Sequence, residues 1–226
     1  MTILEEIALR QSFRFGLLLV GVLAALIYAI VYCYRGPSLA KTTVKSIPLL
    51  SFALAGLVTF AYPLVIVALF MSAIGDIALS RDGKNPFFVG LVGFALAHVF
   101  YVAHFWGLSE GVQLSVWALL IMVFAASTEV WLTPFTGDLR WPVRIYVVLI
   151  SLMGLTALGL PTMPLALVGA MAFLASDAIL SIQVFRMSEG SAWQVPSSIL
   201  LWVLYVGGQF AILAGAGWST PLFQFP

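Results

Sequence analysis

Residues 46–75 read SIPLLSFALAGLVTFAYPLVIVALFMSAIG, thirty residues without a charge. About 20 apolar residues cross the ~30 Å of hydrocarbon in a bilayer. The run is therefore too long for one crossing and short for two. Pro63 decides between them. Proline breaks a helix interior but suits the first turn of a new helix, so one span ends near residue 60 and the next begins at 63. The same argument sets breaks at Pro161 and Pro164. Pro48 then lies inside the second span, as a kink or an early-turn residue.

Working outward from this junction, the spans fall at roughly 13–34, 38–60, 63–80, 86–106, 112–133, 141–160, 163–185 and 195–217. This is an all-α fold, a polytopic membrane bundle of about eight transmembrane helices in a single transmembrane domain, 1–226. Composition agrees: 62% of the 226 residues are hydrophobic and 8% are charged, with a mean hydropathy of +1.11. A soluble domain of this length needs a charged surface. A net charge of +1 gives no reason to expect nucleic acid. The single cysteine, Cys33, lies in a hydrophobic run and has no internal disulfide partner. With Glu5 and Glu6 before a long apolar run, the N-terminus does not read as a cleaved signal peptide.

Eight spans put both termini on one side. Arg35, Lys41, Lys45, Arg81, Lys84, Arg140, Arg144 and Arg186 then share the opposite side, and only Arg10 and Arg14 lie with the termini. By the positive-inside rule the crowded side is cytoplasmic, in a bacterial inner membrane or an endomembrane. Merging the second and third spans gives a less clean division of the same charges.

The two stretches PLVIVALFMSAIGDIALS (63–80) and PLALVGAMAFLASDAILS (164–181) align without gaps at an offset of 101. Each has an aspartate thirteen residues after its first proline. Four helices apart, the copies run the same way through the membrane, the pattern of a parallel four-helix internal repeat. Asp76 and Asp177 then share one depth, about 20 Å from the outer end of their helices at 1.5 Å per residue, in the cytoplasmic half. An ionisable residue within a span costs roughly 2.5–3.5 kcal/mol on insertion scales. One aspartate could be structural, bonded to a Tyr, a Ser or Lys45. Two at equal depth point to a functional pair, flanked by the small residues Gly75 and Ser176, which let backbones approach. Two neighbouring carboxylates do not both ionise easily in a low dielectric, so one residue type can supply both an acid and a base.

Other polar residues lie along the spans. His98 lies about 18 Å into the fourth helix, with Tyr101 one turn on, lining a pocket or bonded within the core. Tyr205 and Gln209 form an i,i+4 pair facing the interior, as site residues or as glue between helices. Lys45 either snorkels to lipid phosphate or binds an anionic head group. Glu129 is expected at the interface and His104 near the outer surface. No GxSxG or HExxH appears. Two Asp and one His could hold a metal, but their spacing is not diagnostic; no metal and no cofactor is expected.

The stretches KSIP at Lys45, GDIAL at Gly75, FALAHVFYVAHF at Phe94, FLASDAILS at Phe173 and LYVGGQFAIL at Leu204 resemble, in order, the lysoplasmalogenase or YhhN-like family. YRGP at Tyr34 and RWP at Arg140 look like bacterial members. The resemblance implies an eight-helix membrane hydrolase. It would cleave the vinyl ether of lysoplasmalogens to a fatty aldehyde and a glycerophospho-ethanolamine or -choline. It implies Asp76 and Asp177 as the catalytic pair, with Lys45, His98, Tyr101, Tyr205 and Gln209 in support. The expected partners are a lysophospholipid substrate and membrane lipids. From the residues alone, a proton-coupled carrier of a lipid or small solute ranks first, and a non-catalytic lipid-binding membrane protein remains open.

Overall fold

The computed structural model describes residues 2–111, 113–160, 162–219 and 222. Among them eight α-helices follow one another: α1 Ile3–Ile27, α2 Leu39–Val58, α3 Pro63–Leu79, α4 Lys84–Leu108, α5 Val116–Trp131, α6 Arg140–Leu158, α7 Pro164–Phe185 and α8 Gln194–Ala216. Seven of the helical stretches are long and apolar enough to cross a bilayer. The eighth, α3, has 17 residues, which is about 25 Å of helix. Large apolar side chains are exposed along the outside, among them Leu19 and Leu23 of α1, Leu120 and Val123 of α5, and Ile145 and Val148 of α6. An apolar exterior of this extent belongs against lipid rather than water.

The junction at Pro63 forms as the sequence predicts. Pro63 opens α3 in its first turn. Before it, Thr59–Tyr62 reverse the chain: Phe60 takes a left-handed φ of 57°, and the Ala61 N–H returns to the Gly56 carbonyl at 2.8 Å. A bulky side chain rarely holds this conformation. Here the Arg10 guanidinium lies 4.6 Å from the centre of the Phe60 ring. Pro48 is inside α2 and buried. Pro164 opens α7, while Pro161 lies outside the described residues.

The largest departure is at the first helix, which starts at Ile3 rather than near 13. Its local signal is a capping box, in which Thr2 and Glu5 bond each other's backbone N–H, followed by the i,i+4 pair Glu6–Arg10 at 2.8 Å. The helix ends in a π-turn, Tyr28–Tyr32. α5 begins at Val116, capped by Ser115, rather than at 112; Val112 is outside the described residues.

Contacts between helix ends define two faces. On one, Arg10 donates to the Val58 carbonyl at 3.0 Å, Tyr62 N–H to the Gly217 carbonyl at 2.8 Å and Glu110 N–H to the Gly159 carbonyl at 3.2 Å. On the other, Thr42 bonds Ser80 at 2.7 Å, Arg144 pairs with Glu129 at 2.6 Å and Gln183 donates to Ser197 at 2.5 Å. The helices thus alternate in direction.

The repeat extends further than the sequence comparison reached. Shifted by 101, the bounds of α2 and α3 fall on 140–159 and 164–180, against observed helices Arg140–Leu158 and Pro164–Phe185. The two halves meet where α4 packs on α6 and α2 on α8. With α2 matched to α6 and α4 to α8, that is one contact made twice. Within each half the third and fourth helices pack most closely. A Cβ on Gly93 would lie 3.1 Å from the Gly75 nitrogen, and one on Gly169 would lie 2.6 Å from the Gly208 carbonyl oxygen. Small residues let these backbones approach where lipid supplies no hydrophobic drive.

Candidate functional site

Asp76 is one turn from the end of α3 and 1% exposed. Tyr205 of α8 donates to its Oδ2 at 2.7 Å. Lys45 Nζ of α2 lies 3.3 Å from its Oδ1. Asp76 thus has the Tyr and Lys45 partners that the sequence allows for a structural aspartate, and Lys45 points into the bundle rather than to a lipid head group.

Asp177 on α7 has a different set of partners. Tyr146 of α6 donates to its Oδ2 at 2.5 Å, and Ser176 lies at 3.4 Å from Oδ1. The fully buried His98 of α4 faces Oδ2, the oxygen Tyr146 bonds, with Nε2 at 3.8 Å. His98 Nδ1 lies 2.6 Å from the Phe94 carbonyl. A carbonyl only accepts, so Nδ1 carries the hydrogen, and in the neutral ring Nε2 is a bare acceptor. Among the described residues it has no hydrogen-bond partner. A buried acceptor of this kind is rare enough to suggest a place for water or ligand.

Tyr146 is the residue that sequence reasoning missed. It carries no charge and belongs to none of the motifs quoted above. Yet it stands 101 residues after Lys45, the same offset that relates the two aspartates. One signal was therefore present: extending the repeat back from α3 and α7 to α2 and α6.

The two carboxyl groups do not bond each other. Between them lies an aromatic cluster. Phe173 packs against Tyr205 at 5.4 Å and against His98 at 4.6 Å between ring centres, and Phe94 contacts both Phe173 and Tyr205. Tyr101 and Gln209 stand apart from both. Tyr101 donates to the Gln209 side-chain oxygen, and Gln209 donates to Ser72 at 2.8 Å. All three are fully buried and tie α3, α4 and α8 together. Glu129 is exposed and paired with Arg144. His104 Nε2 meets the Ala216 carbonyl at 2.7 Å, at the face where α1 begins and α8 ends. Among the described residues no three His, Cys, Asp or Glu side chains converge as a metal site.

A cavity opens beside Asp177 and Tyr146, between α4, α5, α6 and α7. Its wall is mainly Phe, Leu, Ile and Val, with Trp131 and Phe185 toward the cation-rich face. Thr128 and Ser181 also border it, but they turn their hydroxyls onto the carbonyls of Ala125 and Ala178 in their own helices. Ser151 borders it as well, and Asp177 and Tyr146 sit partway along a lining that is otherwise mainly apolar.

Fold and site together define a helical membrane protein built on a repeat, with carboxyl groups buried in its interior. The YhhN family model matches residues 38–216, from the cap of α2 to the end of α8, and the chain belongs to that family. No curated protein and no solved structure matches the chain significantly.

Proposed function

We propose that this protein is a lysoplasmalogenase, hydrolysing the vinyl ether of a single-chain ether phospholipid by acid–base catalysis. The observation that carries this reading is Asp177, a carboxyl group bordering a mainly apolar cavity, beside a buried imidazole nitrogen without a partner among the described residues. A vinyl ether needs a proton on carbon and then water; it needs no strong nucleophile. Protonating the alkene carbon remote from oxygen gives an oxocarbenium ion. Water adds to the carbon bearing oxygen and loses a proton, forming a hemiacetal. The hemiacetal breaks its bond to the glycerol oxygen, which takes up a proton. One water is consumed, and one aldehyde and one glycerophospho-alcohol leave. The scheme parallels glycoside cleavage by two carboxyl groups.

Asp177 is assigned the proton delivered to carbon. It meets a phenol and an imidazole but no cation among the described residues, and it alone of the two aspartates borders the cavity. His98 Nε2 is assigned to accept a hydrogen bond from the incoming water. Asp76, held by Lys45 and Tyr205, is assigned to fix α3 against α2 and α8 and to supply the second carboxylate of the interior. Tyr101 and Gln209 support the site through packing. With the cationic face in the cytoplasm, Asp177 and the cavity lie in the cytoplasmic half of the bundle.

The test is release of aldehyde and fatty acid by purified protein from matched vinyl-ether, alkyl-ether and acyl lysolipids. Aldehyde from the vinyl ether alone is expected. Fatty acid from the acyl lipid with little aldehyde would make the protein an esterase. A parallel repeat also suits a proton-coupled carrier, which would move lipid between compartments and release neither product.

A further inference from the structure

The two halves of the bundle are not equally filled. In the first, Phe52 of α2 packs over Gly21 of α1, where even a Cβ would come within 2.6 Å of the ring. Leu49, Phe52, Val65 and Leu69 are fully buried there. In the second half, α5 and α7 each lean on α6 rather than on each other, and the cavity occupies the space between them. Phe124 of α5 and Val184 of α7 both line it, and they are 40% and 44% exposed. The cavity is partly open, and these two accessible residues flank it on α5 and α7.

We propose that the gap between α5 and α7 is a lateral entrance, through which one unbranched hydrocarbon chain slides from the bilayer into the cavity. The chain lies against the apolar wall, and the bond joining it to its polar head comes to rest at Asp177 and Tyr146. The choice of occupant follows from chemistry. The surface beside the gap is immersed in lipid, and hydrocarbon is the molecule at highest concentration there. The lining is mainly apolar; its polar members are Asp177 and Tyr146, which bond each other, Thr128 and Ser181, which bond their own helices, and Ser151. A chain with a polar group at one end satisfies both features. The reacting class of lipid rests on the function proposed above; the entrance itself rests on packing and exposure.

The test uses a saturated alkyl-ether lysophosphatidylethanolamine with a diazirine halfway along its chain, in nanodiscs containing the full protein. This probe has no alkene and is not cleaved, so it reads binding whether or not the protein hydrolyses vinyl ethers. Irradiation and peptide mapping should place label on Phe94, which lines the cavity and is 6% exposed. Excess unlabelled lysolipid should remove that label. Ala125→Trp, which fills the cavity from α5, should abolish the competed label, and Ala178→Leu should do so from α7. Label confined to outward residues such as Val123 and Val168, or label at Phe94 that persists in both filled variants, would overturn the entrance. The wild-type map decides the question on its own should a filled variant fail to fold. Aldehyde release from the vinyl-ether lipid, measured in parallel, reports separately on the reaction.

Discussion

Asp76 meets a lysine where Asp177 meets a tyrosine. Lys45 and Tyr146 occupy the same position in the two copies of a helix pair, and so do the two aspartates. The copies begin from matched prolines and set their carboxyl groups at matched places on the helix, Asp76 buried and Asp177 half-buried. The surroundings then diverge. Asp76 has a cation, a phenol and close packing on every side. Asp177 has a phenol, an imidazole and a cavity. One scaffold thus builds two environments for the same side chain. On the function proposed above, we read the difference as structure in the first half and chemistry in the second.

Neutralising each carboxyl group is the sharpest way to break that comparison. Asp177→Asn keeps the size of the side chain and its hydrogen bonds but cannot deliver a proton. Aldehyde release should fall about 10²–10⁴-fold, the usual contribution of a general acid or base, with the detergent-solubilised protein melting as before. Near-normal turnover would remove Asp177 from the acid's role.

Stability should respond at the other carboxyl group. Lys45→Met leaves Asp76 buried without its cation, a change that costs about 3–5 kcal/mol where a buried pair is broken. The double variant Lys45→Met/Asp76→Asn removes both charges and should recover much of that loss in a thermal unfolding assay. A double variant no more stable than Lys45→Met alone would show that the two residues do not act as a pair.

Tyr146→Phe should have a smaller effect. It removes one donor from Asp177 and leaves packing intact, so turnover should drop about tenfold, ~1.4 kcal/mol, with little change in melting. Tyr205→Phe, its counterpart at Asp76, should instead lower stability more than turnover. A reversed pattern would exchange the roles of the halves. The smallest effect belongs to Glu129→Gln. Its exposed pair with Arg144 is the solvent-side contrast to Lys45–Asp76, and neither activity nor melting should move measurably.

Much of this contrast is hidden from a reading of the chain alone. The crossings are legible because hydrophobic length and a few prolines determine them, and Pro63 separates α2 from α3 where hydropathy shows no gap. The aspartates are legible because a charge inside a span is conspicuous. The start of α1 is less so: Glu5, Glu6 and Arg10 lower its hydropathy, although Thr2 and Glu5 form a capping box. Tyr146 escapes because its repeat partner is a lysine, and a search for identities passes over equivalent positions with different side chains. The Tyr101–Gln209–Ser72 network and the cavity depend on which helices become neighbours. Residues 101 and 209 come together only when α4 and α8 sit on the same side of α3, an arrangement that spacing along the chain does not express.

The central claim is that a proton goes to carbon before water attacks. It is tested most directly by running the reaction in deuterium oxide and trapping the aldehyde at once as its oxime. Carbon protonation places a single solvent deuterium on the carbon next to the aldehyde. In water enriched with heavy oxygen, the glycerophospho product should carry none of the label, because the bond broken lies between the glycerol oxygen and the former alkene carbon. An aldehyde without deuterium at that carbon, or a glycerophospho product bearing heavy oxygen, would contradict the mechanism.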